Sequence, residues 1–235
     1  MSALEGAPRH ERLAAPEQLA RRVVQLLVGL FLYGIGIAFL LHSDLGAASW
    51  DVLTQGISHH LSLSFGTITI IMSGIVLLLW IPLKQKPGLG TVLNALIVGP
   101  SADVGLSVIP EVDAIWIRVV YIGIGILVVG LATGLYIGSR FGPGPRDGLM
   151  TGLHRVTGRP IWMVRVAIEL TVVGLGWMLG GTVGVGTVAF AVFIGPVCQH
   201  FMRVFYVMLK SDREANVVAS VDADEATVDV VEATA

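Results

Sequence analysis

Between residues 21 and 210 the chain is a succession of long apolar runs separated by short polar breaks. The first run, 23–41, contains no charged residue, and about 20 apolar residues in a helix are what roughly 30 Å of hydrocarbon requires. Five further runs follow at about 64–83, 89–109, 115–138, 161–179 and 185–209. The pattern predicts an all-α membrane protein with six transmembrane helices. The third and sixth runs each contain a Gly-Pro step, Gly99-Pro100 and Gly195-Pro196, which is expected to break the helix there. After the first and fourth runs, turns rich in Gly, Pro, Ala and Ser lead into segments too short to cross a bilayer. Each of these, near 50–60 and 146–156, predicts a short helix.

The two short segments belong to a duplication. Gly46-Ala-Ala-Ser-Trp-Asp51-Val-Leu-Thr-Gln-Gly56 corresponds to Gly142-Pro-Gly-Pro-Arg-Asp147-Gly-Leu-Met-Thr-Gly152, at an offset of 96 positions. The correspondence continues without a gap through Gly88-Leu-Gly-Thr-Val92 and Gly184-Val-Gly-Thr-Val188 to the two Gly-Pro steps. Each copy holds three spans, an odd number, so the second is expected to cross the membrane in the opposite sense to the first. The expected organisation is an N-terminal cytoplasmic arm at 1–20, two inverted three-helix repeats at 21–110 and 111–210, and a tail at 211–235. Inverted repeats with interrupted helices at matching positions are a recurring plan of secondary transporters, with the interruptions close to the substrate. Gly and Pro also serve close packing in membrane helices, and that alternative stands beside the first.

Composition agrees with a polytopic membrane protein: 54% of residues are hydrophobic and 14% charged, with a mean hydropathy of +0.79. The formal charge is −2, yet residues 211–235 hold seven acids and one base, leaving 14 − 10 = +4 on the rest. The acidic tail has no aromatic residue and reads as disordered cytoplasmic chain. The first run is longer than the core of a usual signal peptide and five more follow, so it is read as a retained span. Arg21, Arg22, Lys84, Lys86, Arg140, Arg146, Arg155, Arg159 and Lys210 fall on one side of the expected topology, and the opposite loops hold only Arg118. Lys and Arg mark the cytoplasmic side, which puts both termini there. Trp50, Trp80, Trp116, Trp162 and Trp177 fall near span ends, where indole rings sit at the head groups.

The candidate pathway for a substrate or ion comprises Asp51, Asp147, Arg165, Glu169 and Asn94. Asp51 and Asp147 stand in the first turn of their short helices, with Pro145 suited to the first helical position. There a carboxylate satisfies orphan N–H groups and the positive end of the helix dipole; binding or ion coupling is the alternative role. Arg165 and Glu169, four residues apart inside the fifth run, share one helical face. Arg165 is one turn from the cytoplasmic end, whereas Glu169 is deeper and must pair, reach water or take up a proton. Asn94, Asp103 and His200 are further polar groups on the third and sixth runs. His42, His59 and His60 with Asp44 and Asp51 lack regular metal-ligand spacing, and Cys198 lies in an apolar run, where a thiol acts as a small hydrophobe. With no hydrolase, zincin or nucleotide-binding motif present, the sequence offers no catalytic residue, no cofactor and no metal site. An enzyme is not expected; the expected partners are membrane lipid and a small solute or ion, not nucleic acid.

Asp44-Leu-Gly-Ala-Ala-Ser-Trp-Asp-Val-Leu-Thr-Gln-Gly56, Pro87-Gly-Leu-Gly-Thr-Val-Leu-Asn-Ala95 and Gly142-Pro-Gly-Pro-Arg-Asp-Gly-Leu-Met150 together resemble the bacterial YczE-like integral membrane proteins, grouped more loosely with YitT-like ones. The resemblance covers about residues 22–205. Ser49 stands where that family carries Pro before Trp-Asp, with Asp51 in register. The resemblance implies a multi-pass protein of the bacterial plasma membrane and lends no substrate. Two functions are consistent with these observations: a small-solute permease working by rocking one repeat against the other, or a membrane-embedded partner of another system through which nothing passes.

Overall fold

A computed structural model describes residues 15–205, with side chains from residue 19 onward. Most of the expected N-terminal arm and the whole acidic tail lie outside these residues. The described residues form eight helices and no strand: α1 (Ala15–His42), α2 (Ser49–Ser58), α3 (Phe65–Trp80), α4 (Leu89–Val108), α5 (Ile115–Gly138), α6 (Pro145–Thr157), α7 (Ile161–Met178) and α8 (Val185–Phe205). Five of them, α1, α4, α5, α7 and α8, are long and apolar enough to cross a membrane. The sixth expected span falls on α3, apolar but only 16 residues long. At 1.5 Å per residue that is about 24 Å.

The centre of the bundle is α1, which packs against α4 and α5, while α8 packs on the other side of α5. Small residues decide these contacts, as they do where lipid gives helices no hydrophobic reason to associate. Gly29 of α1 lies on Ala132 and Tyr136, and Gly36 on Gly125 and Val129, so α1 and α5 run antiparallel. Gly34 lies on Val98 and Ala102, and Gly105 on Ala38, so α4 runs parallel to α1. By the same reading Gly130, Gly134 and Gly138, lying on Val197, Phe201 and Phe205, make α8 parallel to α5. The core is built on Leu26, Leu30, Ile37, Val98, Ala102 and Tyr136, with Tyr33 packed against it.

Two expectations need correction. The Gly-Pro steps do not break α4 or α8, which run helically through Pro100 and Pro196; proline is tolerated within membrane helices. The non-helical interruptions lie instead at 43–48 and 139–144, ahead of the short helices. There the turns match in detail: Asp44 and Arg140 have φ of 51° and 59°, and Gly46 and Gly142 have φ of 114° and 118°. Only glycine adopts the latter values readily. The helix α1 also begins at Ala15, ahead of the arginine pair expected to open it. Beyond each turn a long-range bond ties the chain down. Gly90 N–H at the start of α4 donates to Phe141 O (2.9 Å), and Gly186 N–H at the start of α8 donates to Leu45 O (2.8 Å).

Candidate functional site

The short helices α2 and α6 begin close to each other. Their N-cap residues, Ala48 and Gly144, supply no side-chain cap, and Pro145 opens α6. The start of α6 is held by Trp80, whose Nε1 donates to Pro145 O (3.0 Å) and whose ring covers Gly148 so closely that a Cβ there would overlap it. Thr91 Oγ1 donates to Pro143 O (2.7 Å) from the other side. For α2 the support is Gly176 of α7, against the backbone of Val52 and Leu53, and Gln55 Oε1, which accepts from Thr182 N–H (2.8 Å).

Asp51 and Asp147 are the third residues of α2 and α6, and neither caps its helix. The Asp51 carboxylate is 2% exposed and binds Arg146 of the other short helix, with Nη1 and Nη2 at 3.3 and 3.4 Å from Oδ1. The Arg146 guanidinium also lies over the Trp50 ring, 5.3 Å from its centroid. A buried carboxylate needs such a partner to remain charged. Asp147 Oδ2 accepts from Tyr136 OH (2.8 Å), and the Tyr136 ring meets Tyr33 edge-to-face at 6.1 Å. Asn94 lines a small cavity with Tyr33, Ser73 and Asp147. Arg165 Nε and Glu169 Oε1 form the expected pair (2.9 Å). That pair stands on the wall of a larger cavity of about 300 Å³, which Tyr33, Trp50, Arg146 and Asp147 also line. Asn94, Asp147, Arg165 and Glu169 thus line two cavities that share Tyr33, Tyr136, Arg146 and Asp147, and Asp51 is tied to them through Arg146.

The other two polar candidates do not join it. Asp103 Oδ1 accepts from Gly66 N–H (2.7 Å), and His200 is exposed with its ring against Phe201. Four residues of the site went unread in the sequence. Arg146 counts there as a cytoplasmic loop charge, Trp50 as a head-group ring, and Tyr33 and Tyr136 as apolar-run filler. The available signals are the replacement of Trp50 by Arg146 at matched positions of the duplication and a hydroxyl midway along a charge-free run. Trp80 likewise is buried, whereas Trp116, Trp162 and Trp177 are exposed as expected of interfacial rings.

Five long apolar helices around a buried ion pair define a helical, multi-pass membrane protein. Residues 20–203 match a family of unknown function, DUF6198, and the chain belongs to that family. It is 39% identical over 179 residues to an uncharacterized protein of Haemophilus influenzae, covering 76% of this chain and 82% of that one. It is 26% identical over 185 residues to the uncharacterized membrane protein YczE of Bacillus subtilis, covering 78% and 86%, and 26% identical over 181 residues to the uncharacterized protein YyaS of the same species, covering 75% and 90%. The resemblance read from the duplicated motifs thus holds over most of the chain. No solved structure matches.

Proposed function

We propose that the protein is a small-solute permease of the bacterial plasma membrane, built from two inverted repeats that share one central polar site, with both termini cytoplasmic. The observation that carries this reading is the Asp51–Arg146 contact at 3.3 Å. In an inverted pair α2 and α6 enter from opposite faces, so a contact between their first turns requires both to dip deep into the bilayer. Tyr33, which shares a cavity with Trp50 and Arg146, is nine residues short of the end of α1 at His42, about 13 Å along the helix. Half-helices whose N-termini meet near the midplane are how inverted-repeat carriers face charged substrate groups. The antiparallel α1–α5 pair and the matched turns support the same symmetry. So do the matched arginines: Arg22 Nε donates to Ser139 O (2.8 Å) beyond α5, and Arg118 pairs with Asp44 (3.3 Å) beyond α1. Rocking of one repeat against the other about the α1–α5 contact would open the site to each side in turn.

The reading is tested by accessibility. In a Cys198→Ala background, Ser49→Cys on the cavity wall should react with a membrane-impermeant thiol reagent added from one face of right-side-out or inside-out vesicles. Loss of reactivity from both faces, with the protein folded, would favour a dry scaffold over a solute path.

A further inference from the structure

The two halves treat their last two long helices differently. In the first half α3 and α4 pack together, with Gly66 and Gly99 backbone against backbone and Gly66 N–H bonded to Asp103 (2.7 Å). In the second half α7 and α8 make no comparable contact. The cause is in the sequence. The counterparts of Gly66 and Asp103, 96 positions on, are Trp162 and Gln199, so an indole stands where a hydrogen allowed close approach and the anchoring carboxylate is gone. Gly195, the counterpart of Gly99, faces open space.

The crevice left between α7 and α8 is the cavity of about 300 Å³, and its lining is divided. The α8 wall is apolar, with Phe190, Ile194 and Met202, while the α7 wall carries Arg165 and Glu169, and Trp50, Arg146 and Asp147 stand at the inner end. Two guanidinium groups and two carboxylates line it, which cancel in formal charge. Arg165 lies four residues into α7, about 6 Å along the helix, a depth that a head group reaches with a small displacement from the interface.

We propose that this crevice is a lateral binding site for a bilayer phospholipid with a zwitterionic head. The acyl chain lies along the α8 wall, and the head lies beside Arg165 and Glu169. The chain exchanges one hydrocarbon environment for another, so affinity and selectivity come from charge-assisted bonds to the head. A head bearing both charges can turn its phosphate to Arg165 and its cation to Glu169, whereas an anionic head offers Glu169 no partner. The proposal rests on α7 and α8 crossing the bilayer, and it goes beyond the permease reading by placing a lipid in the lateral opening of the same cavity.

The experiment uses the full chain with Trp116, Trp162 and Trp177 changed to Phe, leaving Trp50 on the crevice and the buried Trp80. Vesicles of phosphatidylcholine brominated on its acyl chains should quench the Trp50 emission relative to unbrominated vesicles, and brominated phosphatidylglycerol should quench it less. Gly195→Phe and, independently, Ala191→Phe fill the crevice and should restore the emission in brominated phosphatidylcholine. Gly123→Phe, on another helix but also facing open space, should not. The double change Arg165→Gln/Glu169→Gln should erase the preference between the two heads. Emission untouched by brominated lipid, or quenched equally in both crevice-filling variants, overturns the proposal. So does quenching that fades as the protein-to-lipid ratio rises, because a second copy then covers the opening. Quenching of Trp50 by aqueous acrylamide without quenching by lipid overturns the lateral site alone and leaves a water-filled permease site standing.

Discussion

Replacing Arg146 by Gln tests the centre of the site most directly. Asp51 is 2% exposed and its described partner is Arg146, which is itself 23% exposed and also rests on Trp50. The two partners are therefore unequal. Arg146→Gln leaves a buried carboxylate with no counter-charge, for which breaking a buried pair costs about 3–5 kcal/mol. At about 2–4 °C per kcal/mol for a chain of this size, that lowers Tm by roughly 6–20 °C. Asp51→Asn leaves a cation that can still stack and reach the cavity, so its cost should be nearer about 1.5–3 kcal/mol, the worth of a hydrogen bond to a charged group. The double variant should lose less than the sum of the singles, with a coupling of about 1 kcal/mol or more. Thermal unfolding in detergent measures all three variants. Additive single costs would refute a working ion pair between α2 and α6.

Three further outcomes are expected. In a Cys198→Ala background, cysteines at His59 and Asp113 should label from outside intact cells and those at Gln85 and Arg155 should not; Gln85 and His59 labelling from the same side would remove the inverted repeat. Gly148→Ala should cost about 1–3 kcal/mol by forcing Trp80 aside, seen as a drop in Tm, whereas Gly174→Ala, which meets open space, should be neutral or stabilise α7 by up to about 1 kcal/mol. Glu169→Gln should lower Tm only slightly, because Arg165 is 55% exposed and one turn from the start of α7, so its freed guanidinium can turn to the interface. A large loss of folded protein would instead mean that the pair is sealed inside the bundle.

The helices were legible because each apolar run is bounded by charges or turns, and the short helices because glycine at 46 and 142 and the residues after it repeat. The same offset of 96 anticipated matched turn conformations it could not specify: Lys84 and Gly180, also 96 apart, both have positive φ, 52° and 89°. The Gly-Pro steps misled because a proline's lost bond depends on what packs beside it, and that is tertiary information. The same limit hid the site. Asp51 and Arg146 are 95 residues apart, on segments whose charges look like separate loops until the two short helices are brought nose to nose. Candidate carboxylates could be named from their local turns, but the partners that give them a role, Arg146 and Tyr136, belong to other elements.

The reciprocal bonds at Gly90 and Gly186 bear on how the chain is assembled during synthesis. The start of α4 is fastened to Phe141, a residue made some fifty positions later, and the start of α8 to Leu45, made long before it. Neither half holds all the groups that complete it, so an N-terminal fragment leaving the ribosome waits with open backbone donors until α5 arrives. Expressed alone, either half should be a substrate for membrane quality-control proteases, and the two expressed together as separate polypeptides should rescue each other.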